Sequence, residues 1–230
     1  MSILKKILAS QTVWNLSGLS YTTAVIATHG SYVSRSDYLV QCSRQMKLLE
    51  PYFDGSNVIL EFGCGIGGNT ISASKRASRA YGVDINSHYI KIAKKMASEA
   101  KVSNVEFISY DGIDLPPIKE RPDTVFSIGV FERIPKTEVE SYIHLLSKSL
   151  APKGKLILYF LTKRAEGSQF TERLGDNAYT FWTESELKKL MTDLSLSITA
   201  WKRWPADPFT SERVDDSKSY ADLLIAGKNF

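Results

Sequence analysis

Cysteine and histidine are scarce in this chain, and long hydrophobic runs are missing. Its 230 residues include two cysteines, Cys42 and Cys64, and three histidines. Two cysteines cannot form the disulfide framework of a small secreted domain, and Cys64 lies in a glycine-rich segment where a disulfide would be obstructive. We therefore expect reduced thiols and a cytoplasmic protein.

The few histidines and cysteines are also far apart in the sequence. His29, His88 and His144 are too dispersed along the chain to form a metal site with either cysteine, so we expect no metal. No apolar stretch approaches the ~20 residues that a membrane-spanning helix needs. The apolar positions of residues 3–8 would share one face of a short helix. Such a helix could lie on a membrane surface, but we favour a helix that lies on the domain or over its active site. Stable membrane insertion is not expected.

No block of charge of one sign stands out. The chain has 29 Lys and Arg, 25 Asp and Glu and a net charge of +4, and its lysines are scattered along helical patterns. Scattered lysines are typical of solvated helix faces, whereas nucleic-acid surfaces concentrate them. We therefore expect no nucleic-acid partner.

A glycine-rich turn directly follows an apolar run in the sequence. Residues 58–67 read Val-Ile-Leu-Glu-Phe-Gly-Cys-Gly-Ile-Gly, with glycines at Gly63, Gly65 and Gly67. This pattern predicts a buried parallel strand that turns tightly into a helix. Glycine allows a positive φ and lets a ligand approach the backbone, and the helix that follows would offer its first N–H groups to the ligand. The turn therefore predicts a nucleotide-cofactor site.

Two cofactors are compatible with this turn. Gly63, Gly65 and Gly68 also satisfy the G-x-G-x-x-G pattern of dinucleotide-binding proteins. Glu61, two residues before the first glycine, would repel a pyrophosphate but would suit an ammonium group. We therefore favour a cationic nucleoside, and an NAD(P)-binding oxidoreductase remains the alternative.

A second oxidoreductase pattern is interpreted as accidental. Tyr159 and Lys163 have the Tyr-x-x-x-Lys spacing of short-chain dehydrogenases, but they fall on or just past a predicted strand. In a helix the two side chains would share a face, whereas in a strand they lie ~13 Å apart.

Strand and helix patterns alternate five times after residue 50, which predicts an α/β fold with a mostly parallel, doubly wound sheet. We divide the chain into an N-terminal helical extension or lid, residues 1–50, and a cofactor-binding domain, residues 51–230. The segments 162–182 and 203–218 lack sustained alternation and hold many aromatics, so we expect them to be irregular and to cover the acceptor together with the extension.

Acidic residues stand at the carboxyl ends of three successive predicted strands: Glu61, Asp84 and Asp111. Ligands of open α/β sheets bind beyond these ends. Three converging carboxylates are costly unless a cationic, hydroxyl-rich ligand fills the crevice, and S-adenosylmethionine is such a ligand. We expect Asp84 to accept from the ribose hydroxyls and Asp111 from the adenine amine.

With these residues the chain resembles the class I S-adenosylmethionine-dependent methyltransferases of the small-molecule type. The resemblance covers about residues 50–200. It rests on Glu61-Phe-Gly-Cys-Gly-Ile-Gly67, Tyr81-Gly-Val-Asp84-Ile, Tyr110-Asp111-Gly, Asp123-Thr-Val-Phe-Ser-Ile-Gly-Val-Phe-Glu-Arg-Ile-Pro135 and Leu150-Ala-Pro-Lys-Gly154.

The resemblance implies a seven-stranded sheet whose last strand, residues 220–227, runs antiparallel. It also implies S-adenosyl-L-methionine as cofactor and S-adenosyl-L-homocysteine as product. The implied cofactor-binding residues are Glu61, Gly63, Cys64, Gly65, Gly67, Asp84, Ile85, Asp111, Gly112 and Ile128.

The predicted activity is methyl transfer to an oxygen or nitrogen of a small molecule. Besides the oxidoreductase, a non-catalytic S-adenosylmethionine-binding protein is an alternative. Arg133 occupies the position where the family usually has a histidine, so a general base from that position is in doubt. His29, which we expect in a loop before the first strand, is the candidate base. The acceptor and the oligomeric state stay open.

Overall fold

The computed structural model describes residues 18–29, 33–53, 58–163, 171–174, 177–204 and 219–228. They belong to two compact units, Met1–Glu120 and Arg121–Phe230. The elements of the first unit are α1 (Tyr21–His29), α2 (Arg35–Leu49), β1 (Val58–Phe62), α3 (Gly68–Ala73), β2 (Arg79–Asp84), α4 (Ser87–Glu99) and β3 (Val105–Ser109), with short 3-10 turns at Glu50–Tyr52 and Ser74–Arg76.

The strands of the first unit form a parallel sheet in the order β3-β2-β1. Glu61 pairs with Gly82, and Asp84 at the end of β2 pairs with Ser109 at the end of β3. Every residue of β1 is buried, as expected for a parallel strand that is covered on both faces. The strand ends that carry the predicted acidic residues are therefore neighbours in this unit.

The N-terminal helices contribute to the core of the first unit. Ala24 and Val25 of α1 and Tyr38 and Cys42 of α2 are buried in one apolar cluster with residues of α3, α4 and β3. The Ser34 side chain caps α2 by accepting from the Asp37 N–H. Residues 1–50 as a separate lid remain a prediction, but the described part of this segment is packed as a layer of the unit.

The elements of the second unit are β4 (Thr124–Ser127), α5 (Lys136–Ser149), β5 (Lys155–Lys163), β6 (Thr171–Leu174), β7 (Asn177–Trp182), α6 (Glu184–Asp193), β8 (Leu196–Trp204) and β9 (Ser219–Lys228), with a 3-10 turn at Phe131–Arg133. The predicted capping box at α6 is confirmed, because Thr183 accepts from the Glu186 N–H and the Glu186 carboxylate accepts from the Thr183 N–H. Tyr159 and Lys163 both lie on β5, as predicted.

Strand β5 is the centre of the sheet in the second unit. β9 runs antiparallel to it along its whole length, which confirms the predicted antiparallel last strand. β4 runs parallel to β5 over Lys155 to Leu158, and β7 runs parallel to it at Leu161 and Thr162. Because β9 takes one edge of β5, β4 and β7 share the other edge in succession. The predicted α/β class with a mostly parallel sheet is confirmed.

Within the described residues 162–163, 171–174 and 177–182, the expectation of an irregular segment is wrong. Most of the other segment expected to be irregular, 203–218, lies outside the described residues. Thr162 continues β5, and β6 and β7 form an antiparallel hairpin in which Leu174 pairs with Asn177. This hairpin adds to the seven strands implied by the resemblance. It packs on the turn after β4, where the Thr180 hydroxyl donates to the Ile134 carbonyl oxygen at 2.9 Å. Short strands of four and six residues next to Gly175 and Asp176 produce too little alternation to stand out.

The outer strand β8 pairs antiparallel with β9 and carries a register shift between Ile198 and Ala200. Arg203 on β8 binds Asp222 on β9, whose side chain is fully buried, with Nε–Oδ1 and Nη2–Oδ2 distances of 2.8 Å. The Thr162 hydroxyl donates to the same carboxylate at 2.9 Å. These contacts satisfy a charge that would be costly to bury alone.

None of the helices in the described ranges is both long enough and apolar enough to cross a bilayer.

Candidate cofactor site

The glycine-rich turn after β1 is built on positive φ angles. Gly63, Gly65 and Gly67 have φ values of 74°, 53° and 85°. The N–H groups of Gly63 and Cys64 donate to the carbonyl oxygen of Val83 on β2, at 2.9 and 3.0 Å, so the turn is held against the neighbouring strand. The Cys64 thiol is buried, and burial raises its pKa.

Two of these glycines are required for different reasons. A Cβ at Gly67 would lie 2.7 Å from both Ala93 Cβ and Phe107 Cζ, so this residue allows the turn to pack on α4 and β3. A Cβ at Gly65 would have no atom within 4 Å. Gly65 therefore faces the open side of the turn, where a ligand approaches the backbone.

Asp84 ends β2 beside this turn. Its Oδ2 accepts from the Gly65 N–H and its Oδ1 from the Asn86 N–H, both at 2.8 Å. Burial raises the pKa of Asp84, and the two backbone donors oppose that rise. Each carboxylate oxygen has two lone pairs, so each can accept one more hydrogen bond. This arrangement fits the predicted role toward two ribose hydroxyls.

Glu61 lies within β1 with 2% of its surface exposed. Its Oε2 accepts from the Thr70 hydroxyl, and the Asn69 side chain and the Thr70 N–H also donate to the carboxyl group. Burial raises the pKa of Glu61 to about 8; these hydrogen bonds oppose the rise and the charge of Asp84 adds to it. Glu61 is therefore a buried carboxyl group directly beneath the glycine turn.

The first N–H groups of α3 are not free for a ligand, contrary to the sequence-based expectation. The helix has six residues, and its first N–H groups are used within the protein: Gly68 donates to the Tyr38 hydroxyl, Thr70 to Glu61 and Ile71 to the Gly67 carbonyl oxygen. In dinucleotide-binding folds the pyrophosphate sits at this helix N-terminus. A carboxyl group in that place weighs against the NAD(P) alternative.

Asp111 follows β3 and is exposed. Its Oδ1 accepts from the Ile113 N–H at 2.9 Å and the Asp114 N–H at 3.3 Å, and these donors lower the pKa of Asp111. Gly112 has a φ of 86°, and a Cβ on it would lie 3.7 Å from Ile85 Cγ2. Ile85 and Gly112 therefore place the Asp111 loop beside the end of β2. Glu61 is buried and Asp84 is half-buried, whereas Asp111 lies at the surface.

Ile128 and His29 are the two remaining predicted site residues. Ile128 is in the second unit, half-buried after β4. His29 is the last residue of α1, so the expectation that it stands in a loop is wrong. The sequence of Tyr21–His29 gives no amphipathic helix signal, because its apolar and polar residues do not separate onto two faces. A catalytic role for His29 stays a prediction.

Sequence reasoning missed the residues that support Glu61. Asn69 and Thr70 on α3 donate to its carboxyl group, and Tyr38 and Cys42 on α2 lie against Gly68, where a Cβ would come within 2.4 and 2.5 Å of them. Thr70 could have been found from the sequence, because a hydroxyl residue in the first turn after the glycines lies above the end of β1. The position of α2 has no comparable signal, because it depends on tertiary packing.

In the described part of the chain, no group of three or more His, Cys, Asp or Glu side chains is placed to hold a metal ion.

Comparison with known proteins agrees with this geometry. A family described as "Methyltransferase domain" matches residues 59–154. An uncharacterized protein, RP028, of Rickettsia prowazekii is 30% identical over 117 residues, which are 50% of this chain and 47% of that protein. The matched part thus spans about half the length of this curated relative.

Two solved structures share the fold. The magnesium protoporphyrin IX methyltransferase of Synechocystis PCC 6803 with bound SAH has a TM-score of 0.68 at 20% identity, over 98% of this chain and 100% of that chain. The [4+2]-cyclase SpnF also has a TM-score of 0.68, at 17% identity, over 95% of this chain and 96% of that chain. Residues 59–154 therefore match a methyltransferase-domain family, and the solved structures share the fold of this chain, in agreement with the family and the cofactor predicted from the sequence.

Proposed function

We propose that this methyltransferase transfers the methyl group to an oxygen or nitrogen of a small molecule. The observation that supports the cofactor is a pair of carboxyl groups, the buried Glu61 and the half-buried Asp84, beside a glycine turn whose helix N–H groups are already used. Such a site suits a ligand that brings a positive charge and hydroxyl groups, and it is unfavourable for a pyrophosphate.

The residues of the first unit fit this cofactor. Gly65 leaves its side of the turn open, Asp84 retains acceptor capacity for the ribose hydroxyls, and Glu61 would face the ammonium group. Asp111, beside Ile85 and Gly112, would accept from the adenine amine. When bound, S-adenosylmethionine supplies a methyl group on a sulfonium that is already an excellent leaving group. Positioning the acceptor can therefore provide most of the rate enhancement.

The second unit contains a cluster of aromatic rings. Phe131, Phe160 and Trp182 form a chain of ring contacts, with centroids 5.4 and 5.8 Å apart, around the carboxyl end of β5. The hairpin β6–β7 is fixed to the same end of the strand. These three rings are buried and therefore belong to the core of the unit. Loops and additions at this edge of an α/β sheet commonly determine the substrate, so we propose that the hairpin contributes to acceptor choice.

The names of the structural neighbours support a small acceptor. One is a methyltransferase of magnesium protoporphyrin IX and the other a [4+2]-cyclase, so both are named for chemistry on small molecules. No basic surface of the kind that binds nucleic acid is evident from the sequence. We therefore propose a small-molecule acceptor without a nucleic-acid partner, and a cytoplasmic location.

The choice of general base is limited by Arg133. A guanidinium remains protonated in proteins and cannot accept a proton, so this position can bind an anionic group but cannot act as a base. His29 is our proposed base where the acceptor is a hydroxyl, since a base adds about 10²–10⁴-fold to such a reaction.

The test separates the cofactor from the acceptor. Calorimetry with S-adenosylhomocysteine and with NADH decides the cofactor, and we expect binding of the first alone. Methyl-labelled S-adenosylmethionine is then incubated with the protein and the low-molecular-weight fraction of a cell extract, and labelled products are identified by mass spectrometry. Label in macromolecules would contradict the small-molecule acceptor.

The cyclase neighbour keeps a second function open. The cyclase shares the fold but is named for a reaction other than methyl transfer, so the fold alone does not determine the reaction. A chain that binds S-adenosylhomocysteine but transfers no label to any fraction would be a non-catalytic binding protein or an enzyme of another class.

A further inference from the structure

The buried carboxyl group of Glu61 is held by neutral hydrogen-bond donors. Among the described residues, no lysine, arginine or histidine forms an ion pair with it. Its hydrogen-bond donors are neutral: the Thr70 hydroxyl, the Thr70 N–H and the Asn69 side chain. An isolated buried carboxylate is strongly disfavoured, and neutral donors compensate for only part of that cost.

Asp84 is the titratable neighbour that opposes ionisation of Glu61. Asp84 on β2 is a second carboxylate that interacts with it, and Tyr38 and Cys42 on α2 and Cys64 in the turn are the other titratable groups around it. All three of these hydroxyl and thiol groups are buried, and burial raises their pKa values, so they stay neutral at pH 7. A negative charge on Glu61 therefore meets one like charge and, within the part of the chain that the structure describes, no counter-charge.

We propose that Glu61 holds a proton in the cofactor-free protein at neutral pH and releases it to solvent when the ammonium group of the cofactor binds. The inference rests on the proposed cofactor. An ammonium group beside Glu61 supplies the missing counter-charge, which favours the carboxylate and turns the Thr70 hydrogen bond into a charge-assisted one. The pKa of about 8 in the ligand-free structure is in agreement with this state.

The exchange requires no other reactant. The O–H bond of the carboxyl group breaks, the proton passes to a water or buffer molecule, and the resulting carboxylate pairs with the ammonium. Cofactor binding is therefore linked to pH: below the pKa of Glu61 the affinity rises with pH, by up to about tenfold per pH unit.

The experiment measures the released proton directly. The full chain is titrated calorimetrically with S-adenosylhomocysteine at pH 7 in phosphate, HEPES and Tris, which differ in ionisation enthalpy. The slope of the apparent binding enthalpy against that enthalpy gives the number of protons exchanged. We expect release of about one proton. A slope of zero in the wild type would overturn the inference and leave the cofactor assignment intact, whereas absence of binding would overturn the proposed function.

Two controls assign the proton to Glu61. 5′-Methylthioadenosine lacks the ammonium group, so we expect it to bind without proton release. Glu61→Gln should abolish the release, whereas Glu106→Gln, a carboxyl-to-amide change on β3 in the same unit, should keep it. Release that persists in Glu61→Gln would overturn the assignment.

A readout on the wild type covers the case in which Glu61→Gln fails to fold. The dissociation constant of S-adenosylhomocysteine is measured between pH 6 and 7.5. It should fall by close to tenfold per pH unit, and a constant value over this range would overturn the inference.

Discussion

The N–H of Gly65 donates to Oδ2 of Asp84 at 2.8 Å, which ties the glycine turn after β1 to the end of β2. The other oxygen of Asp84 accepts from Asn86, which also caps α4. One side chain therefore orients the turn, the end of β2 and the start of α4 before any ligand is present. A site organised in this way loses less entropy when the cofactor binds.

Asp84 is expected to be essential for cofactor binding. Asp84→Ala removes two charge-assisted acceptors and the two backbone hydrogen bonds, so the affinity for S-adenosylhomocysteine should fall by about tenfold or more. Calorimetry measures the affinity, and circular dichroism checks that the fold is retained. Asp114→Asn, on an exposed residue of the β3–β4 connection, is the matched control and should bind normally. An unchanged affinity in Asp84→Ala would exclude the ribose role.

Gly65 and Gly67 should respond differently to alanine. Gly67→Ala places a Cβ against Ala93 and Phe107, so strain and overpacking should lower the free energy of unfolding by about 2–4 kcal/mol. Gly65→Ala has open space and should cost about 1 kcal/mol of unfolding free energy from its positive φ alone. Its Cβ faces the ligand side, so cofactor affinity should fall more than stability. Urea unfolding and calorimetry on both variants test this contrast, and equal losses of stability would contradict it.

The raised pKa of Glu61 predicts that the cofactor-free protein loses stability as the pH rises. Its pKa is about 8 in the folded protein and 4.5 ordinarily, so its stabilising contribution is complete below pH 4.5 and is lost as the pH rises through 8. The contribution to the unfolding free energy should decline by at most about 1.4 kcal/mol per pH unit.

Thermal unfolding of the wild type and of Glu61→Gln between pH 5 and 8.5 isolates this effect. The wild type should lose stability relative to the variant as the pH rises. A constant difference between the two would mean that Glu61 does not titrate in this range.

The pair of Arg203 and Asp222 should stabilise the second unit mainly by neutralising a buried charge. Arg203→Met leaves Asp222 without its counter-ion and should lower the unfolding free energy by about 3 kcal/mol. Adding Asp222→Asn removes the charge and keeps an acceptor for the Thr162 hydroxyl, so most of the loss should be recovered. Urea unfolding measures both steps, with Lys189→Met at an exposed pair as a control that changes little. A double variant no more stable than Arg203→Met would contradict this account.

Much of the first unit could be predicted from the sequence because its signals are local. The apolar run before Gly63 predicts β1, and the acidic residues at strand ends predict Asp84 and Asp111 as neighbours on one edge. In the second unit, the capping box at Thr183 is likewise confirmed. Each of these features depends on a few adjacent residues. The antiparallel last strand is also confirmed, but it is implied by the family resemblance.

The missed features depend on contacts between distant segments. The hairpin β6–β7 needs the edge of β5 beyond the end of β4, which only the folded sheet provides. Its sequence signal was the pair Gly175 and Asp176 between two short strands, a common two-residue hairpin connection. The contact of α2 with Gly68 follows from packing of an N-terminal segment on a turn that comes later in the chain.

The outer strand β8 affects the tendency of the protein to aggregate at high concentration. An exposed strand edge offers unpaired backbone groups to another chain, and proteins discourage such pairing with bulges and positive side chains. β8 has both devices, a register shift between Ile198 and Ala200 and the exposed cation Lys202. The edge is thereby protected against strand-to-strand aggregation, which favours a protein that stays dispersed when it is concentrated for calorimetry.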